Sequence, residues 1–246
     1  MKKKRSKGCL YRIVILLLLG IMVFCGYKIA KILYEYHEGS KVYSDVARDA
    51  KVKVGKKQVS VDWEKLRKKN DDVVAWLYSA GSVINYPVVQ GQDNKYYLHR
   101  LINGEYNFKG TLFVDYRVEK PFKGFNTIIY GHRMKDGSMF KPLVRYDDMD
   151  YYKKHKVMRL ATPEKNYDLL IFAMSRISVK SKLYKIFFNS DAEKREFIDE
   201  IRRVSAINPK VRVTKKDKIV MMSTCTAELD DKRNIPLPFQ CFPILK

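Results

Sequence analysis

Cysteine is too scarce here, and too unevenly placed, for a disulfide framework. There are four, Cys9, Cys25, Cys225 and Cys241, and the first two lie in or beside an apolar N-terminal run. A disulfide-stapled domain would carry more of them, evenly spread, in a smaller chain. A single Cys225–Cys241 bridge is left open for an oxidising environment. Neither Cys-x-x-Cys nor His-x-x-x-His spacing occurs, so no metal and no cofactor is expected. Linkers rich in Gly/Ser or Pro, internal repeats and low-complexity tracts are also missing. Acid is in short supply too: 27 Asp and Glu face 49 Lys and Arg, a formal charge of +22.

Six of those charges (Lys2, Lys3, Lys4, Arg5, Lys7 and Arg12) fall in the first twelve residues, which hold no acid, and the remainder still carries +16. The excess is therefore spread along the chain. It favours anionic surfaces, whether nucleic acid, anionic lipid or an acidic wall polymer, and its sign alone does not choose among them. The hydrophobic and aromatic fractions, 46% and 13%, are those of a folded chain rather than a disordered one. A length of 246 residues suffices for one good core with an appendage, or for two small domains.

Ile13 to Tyr27 is a run of fifteen residues without a charge. As a helix it covers only about 22 Å, short of the roughly 30 Å hydrocarbon core of a bilayer. Leu10 and Tyr11 extend it on one side, and Ile29, Ala30, Ile32 and Leu33 on the other, while Arg12, Lys28 and Lys31 can snorkel. A cleaved signal peptide shares the basic start and apolar middle, but the bulky Val23-Phe24-Cys25 offers no small-x-small cleavage site. Phe24 before Cys25 also argues against lipoprotein processing. The expectation is an uncleaved, single-pass anchor. The basic tail would be cytoplasmic and the rest of the chain outside.

The expected organisation is a basic tail (1–9), a transmembrane anchor (10–33), a stalk and helical connector (34–60) and a folded domain (61–246). Tyr27 to Tyr36 reads as the helical part of the stalk. Ser60 or Asp62 can cap a short helix through Trp63 to Leu66. Val73 to Tyr78 and Ile84 to Val89 read as strands joined at Ala80-Gly81. Asp93 opens a helical turn carrying Tyr96, Tyr97 and Leu98. Gly110 to Asp115 and Phe125 to Gly131 are β-branched and aromatic, as strands are. One or two short helices follow between Met139 and His155. Val157 to Ala161 and Tyr167 to Val179 form a hairpin. Ser190 or Asp191 caps a helix whose Phe197, Ile198, Ile201 and Val204 share one face. Ile219 to Met222 is a buried-type strand running into Ser223-Thr224-Cys225. Many short strands with few helices predict a closed or nearly closed β-barrel decorated by helices.

Cys225 stands between a hydrophobic strand and a polar loop, Thr226 to Arg233. A thiol so placed can act as a nucleophile where a base or a positive field favours the thiolate. Free cysteine more often serves as a small buried hydrophobe. Of His37, His99, His132 and His155, only His132 follows a strand with a glycine before it and a loop after it, where a Cys/His pair could meet. Arg233, eight residues beyond Cys225, can be returned by that loop to aim a guanidinium at a developing oxyanion.

Five pieces in order carry a resemblance. They are Asp93-Asn94-Lys95-Tyr96-Tyr97-Leu98, then Gly110 to Arg117, then Asn126 to Met134 with Tyr130-Gly131-His132. Met139-Phe140 with Leu143 follow, and last come Ser223-Thr224-Cys225-Thr226 with Asp231-Lys232-Arg233. Over roughly residues 62 to 233 the chain resembles a class B sortase, a membrane-anchored cysteine transpeptidase. The resemblance implies a mostly β fold with helices, the eight-stranded sortase barrel, preceded by N-terminal helices and the anchor. It implies Cys225 as nucleophile, His132 as acid/base group and Arg233 as oxyanion stabiliser. Ser223 and Thr224, with Asn94, Tyr97 and Tyr130, are the substrate-binding residues it suggests. The expected substrates are surface proteins bearing a C-terminal sorting signal, cut at a Thr–Gly or Thr–Asn type bond. The acyl product would then join an amine of a cell-wall precursor. Loop geometry around residues 180 to 210 is where the choice of signal is expected to lie.

One stretch departs from that pattern. Pro236, Pro238 and Pro243 fall within eight residues after Arg233, where the barrel's last strand is due. Proline has no N–H for a ladder, which argues against a central strand and for an extended edge or an altered terminus. Two other readings stand beside the transpeptidase: a cysteine hydrolase that uses only water, and a non-enzymatic basic module binding wall polymer or lipid. No nucleic-acid partner is expected, because the basic residues are diffuse and no groove-binding motif occurs.

Overall fold

The computed structural model describes residues 5–55, 58–225 and 238–246, the side chains of 5–9 and of Cys225 excepted. The chain divides into two units, Met1–Lys41 and Val42–Lys246. Helix α1 (Arg5–Asp49) begins in the first and ends in the second, continuing to Asp49 instead of stopping near Tyr36. In the first unit the apolar side chains from Leu10 to Leu33 face solvent, among them Leu16, Leu17, Val23 and Phe24. The helix is long and apolar enough to cross a membrane.

In the second unit a two-stranded ribbon, β1 (Lys53–Val54) and β2 (Val59–Ser60), leads to α2 (Trp63–Lys69). Asp62 caps α2, its side chain accepting from Lys65 N at 3.1 Å. The remaining strands are β3 (Val73–Tyr78), β4 (Asn85–Val89), β5 (Leu112–Val114), β6 (Asn126–His132), β7 (Val157–Ala161), β8 (Asn166–Arg176), β9 (Ile219–Cys225) and β10 (Phe239–Leu245). These eight close into a barrel in the order β10-β8-β7-β3-β4-β5-β6-β9. Closure leaves no edge strand, and the inward face of every strand becomes core. Gly81, at φ +68°, makes the β3–β4 turn that Ala80-Gly81 predicts.

Helix α3 (Met149–His155) follows a 3₁₀ segment (Lys141–Asp147) and lies between β6 and β7 in the chain. The β8–β9 connection contains a 3₁₀ turn (Lys182–Tyr184) and α4 (Asp191–Val204). Ser190 caps α4 by accepting from Glu193 N at 3.2 Å, and Glu193 turns back to accept from Asn189 N at 3.1 Å. Acids in its first turn and Arg202 and Arg203 in its last complement the helix dipole. Phe197, Ile198 and Ile201 bury the predicted face among Phe172, Met221, Phe242 and Ile244 of the barrel.

The C-terminus corrects the expectation drawn from its prolines. β10 is a full barrel strand, antiparallel to β8 on one side and to β9 on the other, and all seven of its residues are buried. Pro238 lies just before the strand, and Pro236 lies outside the described residues. Pro243 is inside it, but the β8 register slips between Phe242 and Pro243, leaving Phe172 as the extra residue of a bulge. The β9 ladder runs through Gln240, Cys241 and Ile244 and passes over Pro243. The missing N–H thus falls where the ladder needs none.

Candidate active site

Three neighbouring strands, β6, β9 and β10, assemble the site. β6 and β9 run parallel, in register from Asn126↔Ile219 to His132↔Cys225. Parallel strands end at the same rim of a barrel, so the two residues singled out from strand-end positions are backbone partners at one ladder step. Tyr130 pairs with Ser223 and Gly131 with Thr224 along the same ladder.

Glycine is required at 131. A β-carbon there would overlap Leu112 and come within 2.7 Å of Phe140. That close approach lets β6 pass beneath Phe140, whose N–H donates to the His132 carbonyl at 2.9 Å.

The His132 ring is buried, with 6% of its surface exposed. Nε2 lies 2.6 Å from the Leu98 carbonyl oxygen. A carbonyl only accepts, so in the neutral ring Nε2 carries the proton and Nδ1 keeps the lone pair. Burial pushes the His132 pKa below the ordinary imidazole value; the Leu98 bond opposes this and nearby His99 adds to it. His99 stacks on His132 with centroids 5.7 Å apart and lies tilted against Tyr106 at 5.9 Å. Its own Nδ1 is buried without a partner among the described residues.

Of the expected substrate-binding residues, three lie beside the His132–Cys225 step. Ser223 is buried, its Oγ 2.8 Å from the Tyr184 hydroxyl. Thr224 Oγ1 accepts from Phe239 N at 2.8 Å, which fastens β10 to β9 next to Cys225. Tyr130 is half-buried, and its hydroxyl donates to Asp115 Oδ2 at 3.0 Å. Desolvation would raise the Asp115 pKa, but bonds from Arg117 hold it below the usual carboxylate range. Asn94 and Tyr97 come from the turn that precedes Leu98. Asn94 Oδ1 accepts from Tyr116 N at 3.1 Å. The Tyr97 hydroxyl donates to Asp72 Oδ2 at 2.6 Å and accepts from Asn70 at 2.9 Å, so its polar end is engaged within the fold. Arg233 lies outside the described residues.

Sequence reasoning missed Leu98, Tyr184 and Gln240. Tyr184 comes from the β8–β9 connection, where its hydroxyl meets Ser223 and accepts from Gln240 Nε2 at 3.1 Å. Its ring lies parallel to that of Tyr130. Gln240 is fully buried in β10 and also accepts from Ile177 N at 2.9 Å. These partners are 56 and 63 residues apart, so no local signal could reveal them. Leu98 acts through its backbone, which its side-chain type does not advertise.

Two arginines stand at this rim. Arg133 follows His132 and lies over the Phe239 ring at 5.8 Å, and Arg176 lies over the same ring at 4.3 Å. Arg176 is also paired with Asp147 Oδ2 at 2.9 Å, so its charge is answered within the fold, whereas a cation such as Arg133 beside a cysteine favours the thiolate. Cys241 is the counter-example: it is free and fully buried, and burial pushes its pKa well up, which makes it inert.

Comparison with known proteins fits this geometry. The sortase domain family matches residues 79–235. The sortase B of Staphylococcus aureus is 35% identical over 215 residues, 87% of this chain and 88% of that protein. The sortase B of Listeria monocytogenes is 33% identical over 230 residues, covering 92% and 94%. Among solved structures, the sortase B of Bacillus anthracis superposes with a TM-score of 0.76 at 31% identity, covering 87% of this chain and 98% of that one.

Proposed function

This chain belongs to the sortase family, in its class B, whose members are cell-wall sorting transpeptidases, and we propose how its own residues carry out that reaction. The Cys225 thiol gives its proton to His132 Nδ1, and the thiolate so formed attacks the carbonyl carbon of a Thr–Gly or Thr–Asn type bond in the C-terminal sorting signal of a surface protein. A C–S bond forms, and the negative charge that gathers on the carbonyl oxygen is met by the Arg233 guanidinium. Collapse breaks the C–N bond, and the leaving amine takes its proton from His132 Nδ1. The thioester then meets an amine of a peptidoglycan precursor. That amine attacks, gives its proton to His132, and expels the Cys225 thiolate.

The observation that carries this reading is the register pair His132↔Cys225 at the common rim of β6 and β9. The Leu98 bond at Nε2 adds to it, because it reserves Nδ1 for proton transfer. Ser223, Thr224 and Tyr130, with Asn94 and Tyr97 on the neighbouring turn, would shape the site that receives the signal peptide. The Tyr184 and α4 segment above them would select its sequence. The apolar stretch of α1 would cross the membrane once, with residues 1–9 in the cytoplasm and the domain from 61 onward outside.

The test is to incubate the full chain in detergent with candidate sorting peptides and follow masses with and without an amine acceptor. The expected result is an acyl adduct on Cys225 that is consumed faster when the amine is added. Cleavage by Cys225→Ala at the parent rate would overturn the reading. An amine-independent product would reduce the enzyme to a hydrolase.

A further inference from the structure

Two separate chains of contacts that end on His132 begin at one tyrosine far from it in sequence. Tyr43 is on the last turns of α1, within the unit Val42–Lys246, and is 4% exposed. Its hydroxyl donates to the Gly110 carbonyl and lies 3.0 Å from Thr111 Oγ1. Its ring packs edge-on against Tyr86, centroids 5.3 Å apart.

The first chain runs through the strap 107–111. This strap is laced to the turn that carries Leu98: Asn107 N donates to His99 O at 2.9 Å, and Thr111 N to Tyr97 O at 2.9 Å. Thr111 Oγ1 donates to Arg100 O at 2.8 Å. Gly110 sits at φ +58°, and a β-carbon there would overlap the Leu98 and Tyr97 carbonyl oxygens. The strap is therefore in direct contact with the carbonyl that meets His132 Nε2. Tyr43 pins the strap at that glycine. The second chain runs through Tyr86, whose hydroxyl accepts from Met139 N at 3.3 Å. Met139 holds an uncommon φ of +56°, and the next residue, Phe140, donates its N–H to the His132 carbonyl.

We propose that Tyr43 is a positioning residue for His132. Its hydroxyl fixes, through Gly110 and Leu98, which ring nitrogen bears the proton, and its ring supports, through Tyr86 and Met139, the backbone from which the imidazole projects. The proposal rests on His132 as the acid/base group of the transpeptidation. A base held in the wrong tautomer, or displaced from the reacting atoms, loses rate without losing substrate affinity.

The test uses the full chain in detergent micelles with histidine labelled in nitrogen-15. Only four histidines are present, and His132 is assigned by its loss in His132→Asn. In the parent, neutral His132 is expected to be the Nε2–H tautomer. Tyr43→Phe keeps the ring against Tyr86 and removes only the hydroxyl. It is expected to give a mixture of tautomers, a kcat lower by about tenfold and a KM for the peptide within about twofold. Tyr86→Phe removes only the acceptor for Met139 N–H and is expected to lower kcat with the tautomer unchanged. An unchanged tautomer and kcat in a folded Tyr43→Phe would overturn the proposal. If that variant does not fold, Thr111→Val loosens the same strap, and an unaltered tautomer there overturns it instead. Absence of transfer in the parent would count against the catalytic reading, while the tautomer measurement would still decide the role of Tyr43.

Discussion

His132 and Cys225 form the last register pair of two parallel strands, β6 and β9. The pairing follows from strand direction. Two parallel neighbours finish at the same rim, so residues that end their strands are brought level without any loop having to place them. The ladder below them, seven pairs long, holds that relationship rigid. Glycine at 131 and Thr224 at the step beneath allow the strands to pack under Phe140 on one side and β10 on the other.

Gly131→Ala is expected to cost about 2 kcal/mol or more, because the new methyl collides with Leu112 and Phe140 in a packed interior. Urea denaturation measures it. Activity should fall further than the folded fraction, since relief of the clash moves the residue next to His132.

The pH dependence of stability should report His132. Its folded pKa lies below the ordinary value of 6.5 because the ring is buried. The unfolded chain therefore binds the proton more readily, and stability rises with pH across the window between the two values. The contribution is fully present above about pH 6.5 and is lost as pH falls from there through the folded pKa. Denaturant midpoints from pH 7.5 down to pH 5 should drop less in His132→Asn than in the parent. An identical slope in both would contradict the burial of this ring.

Gln240→Leu removes the acceptor for the buried Ile177 N–H and the donor to the Tyr184 hydroxyl. Leaving that N–H unpaired should cost about 2 kcal/mol. Tyr184 would lose a fixed position over Ser223, so KM for the signal peptide is expected to rise more than kcat falls. Equilibrium unfolding and steady-state kinetics separate the two effects.

Lys109 is 1% exposed and pairs with Asp136 at 2.8 Å, between the 107–111 strap and the loop after β6. Lys109→Met should destabilise the fold by only about 1 kcal/mol, since the Asp136 carboxylate it leaves without a cation is exposed to water and keeps its bonds from Ser138. Double substitution with Asp136→Asn should recover part of that loss, and a double-mutant cycle on melting temperature tests it.

Much of the barrel was legible because its signals are local. The alternation and β-branching of Val73 to Tyr78, the Ala80-Gly81 turn and the Ser190 cap with its Phe197, Ile198, Ile201 face each express a preference of a few adjacent residues. The prolines of the last strand misled for the same reason. A local rule excludes Pro243 from a ladder, whereas a bulge at Phe172, on another strand, accommodates it.

By itself the sequence determined the apolar N-terminal helix, most of the strands and the strand-end placement of His132 and Cys225, all properties of short stretches of chain. Tertiary structure alone decided that these two stand in one register and that Nε2 of His132 is committed to the Leu98 carbonyl. It alone brought Tyr184 and Gln240 to Ser223. Those relationships are set by barrel closure, which joins segments whose spacing in the chain carries no trace of their contact.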